Sequence, residues 1–172
     1  MKGPNDISFP LWQLLNRTSH IMLKARQKEL DQYDISIRSS AILEIIARLG
    51  KKTTPTAISR QTFVERHSIS EQLARMEKEG LIVKVRDLER KNLVRVAATK
   101  KGQEVFKKTT ERKSIKYITS ALTLEEQKQL WTLLAKLRGK TMKTLGIEDW
   151  EYFPPSAPDD QLLTGKENLS TL

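Results

Sequence analysis

The stretch from Ser68 to Thr99 constrains the fold of this 172-residue chain more than any other. Ser68-Ile69-Ser70-Glu71 has the spacing of a capping box, in which each side chain satisfies the other's orphan backbone N–H. Ile69, Leu73 and Met76 then recur on one helical face, and Gly80 permits a left-handed exit. Two β-rich runs follow, Leu81 to Arg86 and Leu93 to Ala98, joined by the charged turn Asp87-Leu88-Glu89-Arg90-Lys91-Asn92. Val83 and Val85 alternate with Ile82, Lys84 and Arg86. Val94, Val96 and Ala98 alternate with Leu93, Arg95 and Ala97, and this period of two predicts a hairpin.

The rest of the chain reads as helix. Leu11, Leu14, Leu15, Ile21, Met22, Ala25 and Leu30 fall close to helical period, which predicts a first helix from about Phe9 to Gln32. Ser36 caps a second helix that ends at Gly50. Thr54-Pro55 starts a short third one, to about Gln61, because proline fits the first helical position. Thr62-Phe63-Val64 makes the turn into the fourth. Thr99 caps a long fifth helix to about Ser120, and Thr123-x-x-Glu126 opens a sixth that ends near Gly146. A polar tail with Pro154, Pro155 and Pro158 is expected to be extended or disordered after about Phe153. The fold class is therefore mainly α with a small β-hairpin wing. The expected domains are an N-terminal dimerisation helix (1–34), a winged helix-turn-helix (35–99), C-terminal dimerisation helices (100–146) and an acidic tail (147–172).

Charge narrows the partners. The net charge is +10, but Gly146 to Leu172 carries −5, so the first 145 residues carry +15. Lys84 to Lys116 holds twelve Lys/Arg against four Asp/Glu. Polyanions are the natural partners of such a surface. There is no cysteine, which excludes thiol redox sensing and thiolate metal sites. The two histidines, His20 and His67, are far apart and form no ligand cluster, no metal or cofactor is expected, and the seven glycines form no phosphate-cradling loop. Nothing marks an enzyme. The N-terminus lacks the layout of a signal peptide, and no apolar run reaches the roughly 20 residues that span a bilayer, so a cytoplasmic protein without a membrane partner is expected.

Helix, turn, helix and hairpin in this order suit duplex DNA. The major groove is about 12 Å wide and admits one α-helix. The fourth helix would present Arg66, His67, Ser68, Ser70, Glu71 and Arg75 to it. Arg75 suits a guanine, and Glu71 suits a cytosine amine or closes the cap. Arg90 and Lys91 at the wing tip suit a narrow minor groove. Lys84, Arg86, Arg95, Lys100 and Lys101 would touch phosphates. The alternative is a winged-helix interaction module that binds protein or RNA without operator DNA.

These motifs resemble the MarR family of transcriptional regulators. Met76-Glu77-Lys78-Glu79-Gly80-Leu81-Ile82 stands where the family has Leu-Glu-x-x-Gly-Leu-Val at the end of its recognition helix. Val96-Ala97-Ala98-Thr99-Lys100-Lys101-Gly102 matches Val-x-Leu-Thr-x-x-Gly, with Ala98 for the leucine. Ile35-Ser36 and Leu122-Thr123-Leu124-Glu125-Glu126 also match, so the resemblance runs from about Leu11 to Leu145. The chain departs at the wing tip, where Arg90-Lys91-Asn92 replaces the family's Asp-x-Arg. It departs again at Phe63, where the family often has glycine and where a packing role is expected.

The resemblance implies a homodimer on a pseudopalindromic operator, most often a repressor, released by a small aromatic or phenolic effector. Arg17, His20, Lys24 and Arg38 would supply positive charge to the effector pocket. The residues themselves also favour a dimer, because one subunit can hardly bury three long amphipathic helices outside the winged domain. Leu11, Leu14, Leu130, Leu134 and Leu137 are the expected interface.

Overall fold

The computed structural model describes residues 6–86 and 94–147. The chain divides into two compact units, residues 1–118 and residues 119–172. The tail beyond residue 147 and the wing tip, including Arg90 and Lys91, lie outside the described residues.

The first unit begins with α1 (Ser8–Leu30), which closes in a 3₁₀ turn. Then come α2 (Ile37–Leu49), α3 (Pro55–Thr62), α4 (Arg66–Lys78), β1 (Ile82–Arg86), β2 (Val94–Ala98), α5 (Lys100–Thr109) and all but the last residue of α6 (Lys113–Thr119). Ser36 caps α2, accepting from the Ser39 N–H at 3.1 Å. Thr54 caps α3 through the Ala57 N–H at 3.1 Å, with Pro55 in the first turn. Both starts are local, so they are readable from the sequence.

The core lies where α2, α4 and the hairpin meet. Ile42, Leu43, Ile58, Leu73, Met76, Ile82 and Val96 are almost fully buried, with Leu30 of α1 among them. α2 is the central brace, packing against α1, α3, α4, α5 and β2. The strands pair antiparallel, Ile82 opposite Ala98 through Arg86 opposite Val94. One face turns Ile82 and Val96 inward, and the other leaves Val83 and Val85 exposed. The Val96 N–H donates to the Thr53 carbonyl at 3.0 Å, which fixes the hairpin to the segment before α3.

Three residues tie the wing to the ends of the helices. Gly80 takes a left-handed φ of 71° after α4. The Thr99 hydroxyl donates to the Gly80 carbonyl at 2.6 Å and accepts from the Gly102 N–H at 3.0 Å, so one side chain caps α5 and holds the exit of α4. Gly102 lies against the Leu81 carbonyl, where no β-carbon fits.

The expected fifth helix is interrupted. Arg112 adopts a left-handed φ of 51°, so α5 ends at Thr109 and α6 starts at Lys113. The break is held from α1. The Glu29 carboxylate accepts from the backbone N–H groups of Lys113 (2.8 Å) and Ser114 (3.0 Å) and from the Ser114 hydroxyl. Arg26 pairs with Glu29 at 2.7 Å and donates to the Thr109 carbonyl at 2.8 Å. Arg112 reaches Glu44 of α2 at 3.2 Å.

Among the described residues, the second unit holds α7 (Leu124–Thr144) with its cap. The expected capping box is formed: the Thr123 N–H donates to Glu126 at 2.8 Å, and the Thr123 hydroxyl accepts from the Glu126 N–H at 3.3 Å. Among the described residues, no helix is long and apolar enough to cross a membrane.

Candidate nucleic-acid interface

α3 and α4 pack against each other across a tight turn. The Ser59 hydroxyl donates to the Val64 carbonyl at 2.7 Å, and the Val64 N–H donates to the Ser59 carbonyl at 3.3 Å. Phe63 supplies the left-handed residue, φ 53°, that reverses the chain. The residue is 54% exposed and lies outside the core, which corrects the expectation of a role in core packing. The turn needs the backbone angle there, and no burial in the core accompanies it.

α4 begins two residues earlier than its apparent capping box. Arg66 is its first residue, and Glu65 at the cap position gives no side-chain bond to the helix. Ser68 is therefore not the cap; it lies inside the first turn, its hydroxyl 3.3 Å from His67 Nε2. Glu71 is likewise free of the cap. The tight turn has already brought the Glu65 carbonyl into line for the Ile69 N–H (3.1 Å), so the helix starts before the serine. Ser70 donates back to the Arg66 carbonyl at 2.9 Å.

Ile69, Gln72, Leu73 and Met76 form the buried face of α4, while Arg66, His67, Ser70, Glu71 and Arg75 are exposed and Ser68 is half-buried. Gln72 is a residue that sequence reasoning missed. Its Oε1 accepts from Arg75 Nη2 at 2.8 Å, and its Nε2 donates to Ser39 Oγ of α2 at 2.9 Å. A buried amide thus grips an exposed long cation of the helix. Its spacing to Arg75 was visible in the sequence, but its tie to Ser39, 33 residues away, was not.

The cations of the wing and of the start of α5 differ in their freedom. Lys84 Nζ pairs with Glu77 of α4 at 2.9 Å, and that hydrogen bond holds the Glu77 carboxyl below its usual range. Arg95 is half-buried and donates to the Lys51 carbonyl. Lys101 donates to the Glu79 carbonyl at 2.8 Å. Arg86 and Lys100 are exposed.

Arg17, His20, Lys24 and Arg38 are all exposed, the first three at one-turn intervals along α1. So are Leu11, Leu14, Leu130, Leu134 and Leu137. Among the described residues, no three His, Cys, Asp or Glu side chains gather as a metal site. Glu29 is the most perturbed acid described. Burial opposes its charge, but bonds from the Ser114 hydroxyl, Arg26 and two backbone N–H groups outweigh that and lower its pKa to about 2.

A short brace helix, an outward-facing second helix and a two-stranded wing define a winged helix-turn-helix unit. The model of the MarR family matches residues 33–91, the heart of that unit. The organohalide-sensing RdhR transcriptional regulator in its 2,4-dichlorophenol-bound form is 30% identical, with a TM-score of 0.76 over 89% of this chain and 98% of that one. The fold is shared with MepR of S. aureus in a DNA complex (20% identity, TM-score 0.70, 80% of this chain and 99% of that one). It is shared equally with a MarR mutant from E. coli complexed with operator DNA (21%, 0.70, 80% and 99%). No curated protein sequence matches the chain. The chain belongs to the MarR family: it is a DNA-binding transcriptional regulator with a winged-helix fold, and not an enzyme.

Proposed function

We propose that the chain acts in the cytoplasm as a homodimeric repressor, occupying a pseudopalindromic operator and released by a small aromatic or phenolic effector. The observation that carries the reading is the outer face of α4. It sets Arg66, His67, Ser70, Glu71 and Arg75 in solvent on a helix about 20 Å long, braced from behind by α2 and α3. Such a face enters a major groove, where side chains meet base edges. Arg86 and Lys100, together with Lys84, Arg95 and Lys101, serve the flanking phosphates. Arg90 and Lys91 serve the minor groove. To reach a phosphate Lys84 must leave Glu77, which an exposed pair does readily.

The exposed leucines support two copies. Leu14 is 64% exposed and Leu137 is 48% exposed, and apolar surface of this kind marks an interface. For the effector, support comes from the 2,4-dichlorophenol bound to the RdhR regulator and from the exposed row Arg17, His20 and Lys24 on α1, which carries two fixed positive charges. MepR and MarR, each solved with DNA, support the operator.

Arg75→Ala tests the reading of α4. It should weaken binding to a selected duplex by ~1–3 kcal/mol and relax preference at one base position. Unchanged sequence preference means that Arg75 does not read bases.

A further inference from the structure

A flexible arginine on a DNA-facing helix loses side-chain entropy when it is fixed. A protein reduces that loss by fixing the side chain before DNA arrives. Arg75 is exposed, yet its Nη2 is held 2.8 Å from Gln72 Oε1. Gln72 is 8% exposed and anchored in turn, its Nε2 donating to Ser39 Oγ at 2.9 Å. Ser39 is buried and accepts from the hydroxyl of Ser36, the cap of α2, at 3.0 Å. Because a guanidinium only donates, the amide oxygen faces Arg75 and the amide nitrogen is left to donate to Ser39. A guanidinium has five N–H donors, so this bond leaves four for a base or phosphate.

We propose that Gln72 is a positioning residue for DNA readout, holding the Arg75 guanidinium in the orientation that meets a base edge and so setting preference at one base position. The inference rests on the reading that α4 reads bases through Arg75. Gln72 itself touches no DNA; it acts through Arg75, with Ser39 and Ser36 as its fixed support.

The experiment selects duplexes from a randomised double-stranded library with the wild-type chain. Affinity is then measured for the selected duplex, for each single base change in it, and for random duplex. Gln72→Met keeps length and helix preference but removes both hydrogen bonds. It should lower discrimination about three- to tenfold at the position that Arg75→Ala affects, leave random-duplex affinity unchanged, and add nothing in an Arg75→Ala background. Gln72→Glu keeps an acceptor for Arg75, and the Ser39 hydroxyl can donate to it, so discrimination at that position should survive.

Equal weakening on selected and random duplex, or the same loss without Arg75, overturns the proposal. So does loss of discrimination in Gln72→Glu. If Gln72→Met does not fold, as judged by circular dichroism, Ser39→Ala takes its place. That change frees the far end of the amide without opening a cavity, and it should give the same position-specific loss, smaller in size; no loss overturns the proposal. Arg75→Ala without effect at any base overturns the reading of α4 and this inference together. Arg75→Ala effective with Gln72→Met ineffective overturns this inference alone.

Discussion

A β-carbon added to Gly102 would sit 2.0 Å from the Leu81 carbonyl oxygen, on backbone that also accepts the Thr99 N–H. Neither side of that contact is a flexible side chain. Gly102→Ala should therefore destabilise the fold by at least ~2 kcal/mol, read as a lower urea midpoint. A midpoint within error of wild type would show that α5 can slide away from the wing. Gly80 and Thr99 belong to the same joint, and all three were legible as a spaced motif, because turn angle, cap and close approach are each set by one residue type. Ser68 and Phe63 were harder. The serine has the spacing of a cap, but the tight turn after α3 starts the helix before it. Phe63 is apolar and so suggests core packing, yet it stands at the left-handed turn position and is 54% exposed as a residue.

At the scale of elements, the joint between α5 and α6 depends on α1. Glu29 closes the start of α6 from 84 residues away, and no Gly or Pro marks the break. A reading of local pattern joins the two helices, because the residue that separates them is not local. The joint has a consequence in acid. The Glu29 pKa falls from 4.5 to about 2 on folding. A lowered carboxyl pKa contributes stability above the unfolded value and loses it as pH falls through the folded one. The contribution should be fully present above about pH 4.5 and fade toward about pH 2. With allowance for solvent screening it amounts to about 1–2 kcal/mol. Glu29→Gln should be less stable than wild type by that amount at pH 7, and the two urea midpoints should converge near pH 2. A constant gap across that range contradicts the assignment.

For the whole molecule, the balance of apolar surface decides. The core around α2, α4 and the hairpin is closed, whereas Leu11, Trp12, Leu14 and Leu23 of α1 remain exposed, as do Leu130, Leu133, Leu134 and Leu137 of α7. The periodicity of these leucines made the helices legible, but it does not say which copy of the chain they face. Sedimentation equilibrium at micromolar protein should give a species close to twice 19.8 kDa; a species at 19.8 kDa contradicts the dimer. Two copies related by a two-fold axis would set their α4 helices toward half-sites about one helical turn apart, some 34–36 Å.

Selection from a randomised duplex library by the purified chain, at physiological salt, tests that account most directly. The chain should recover an inverted repeat with half-sites about one turn apart, bound at least a thousandfold (~10³) more tightly than random duplex. Equal affinity for recovered and random duplex would contradict it.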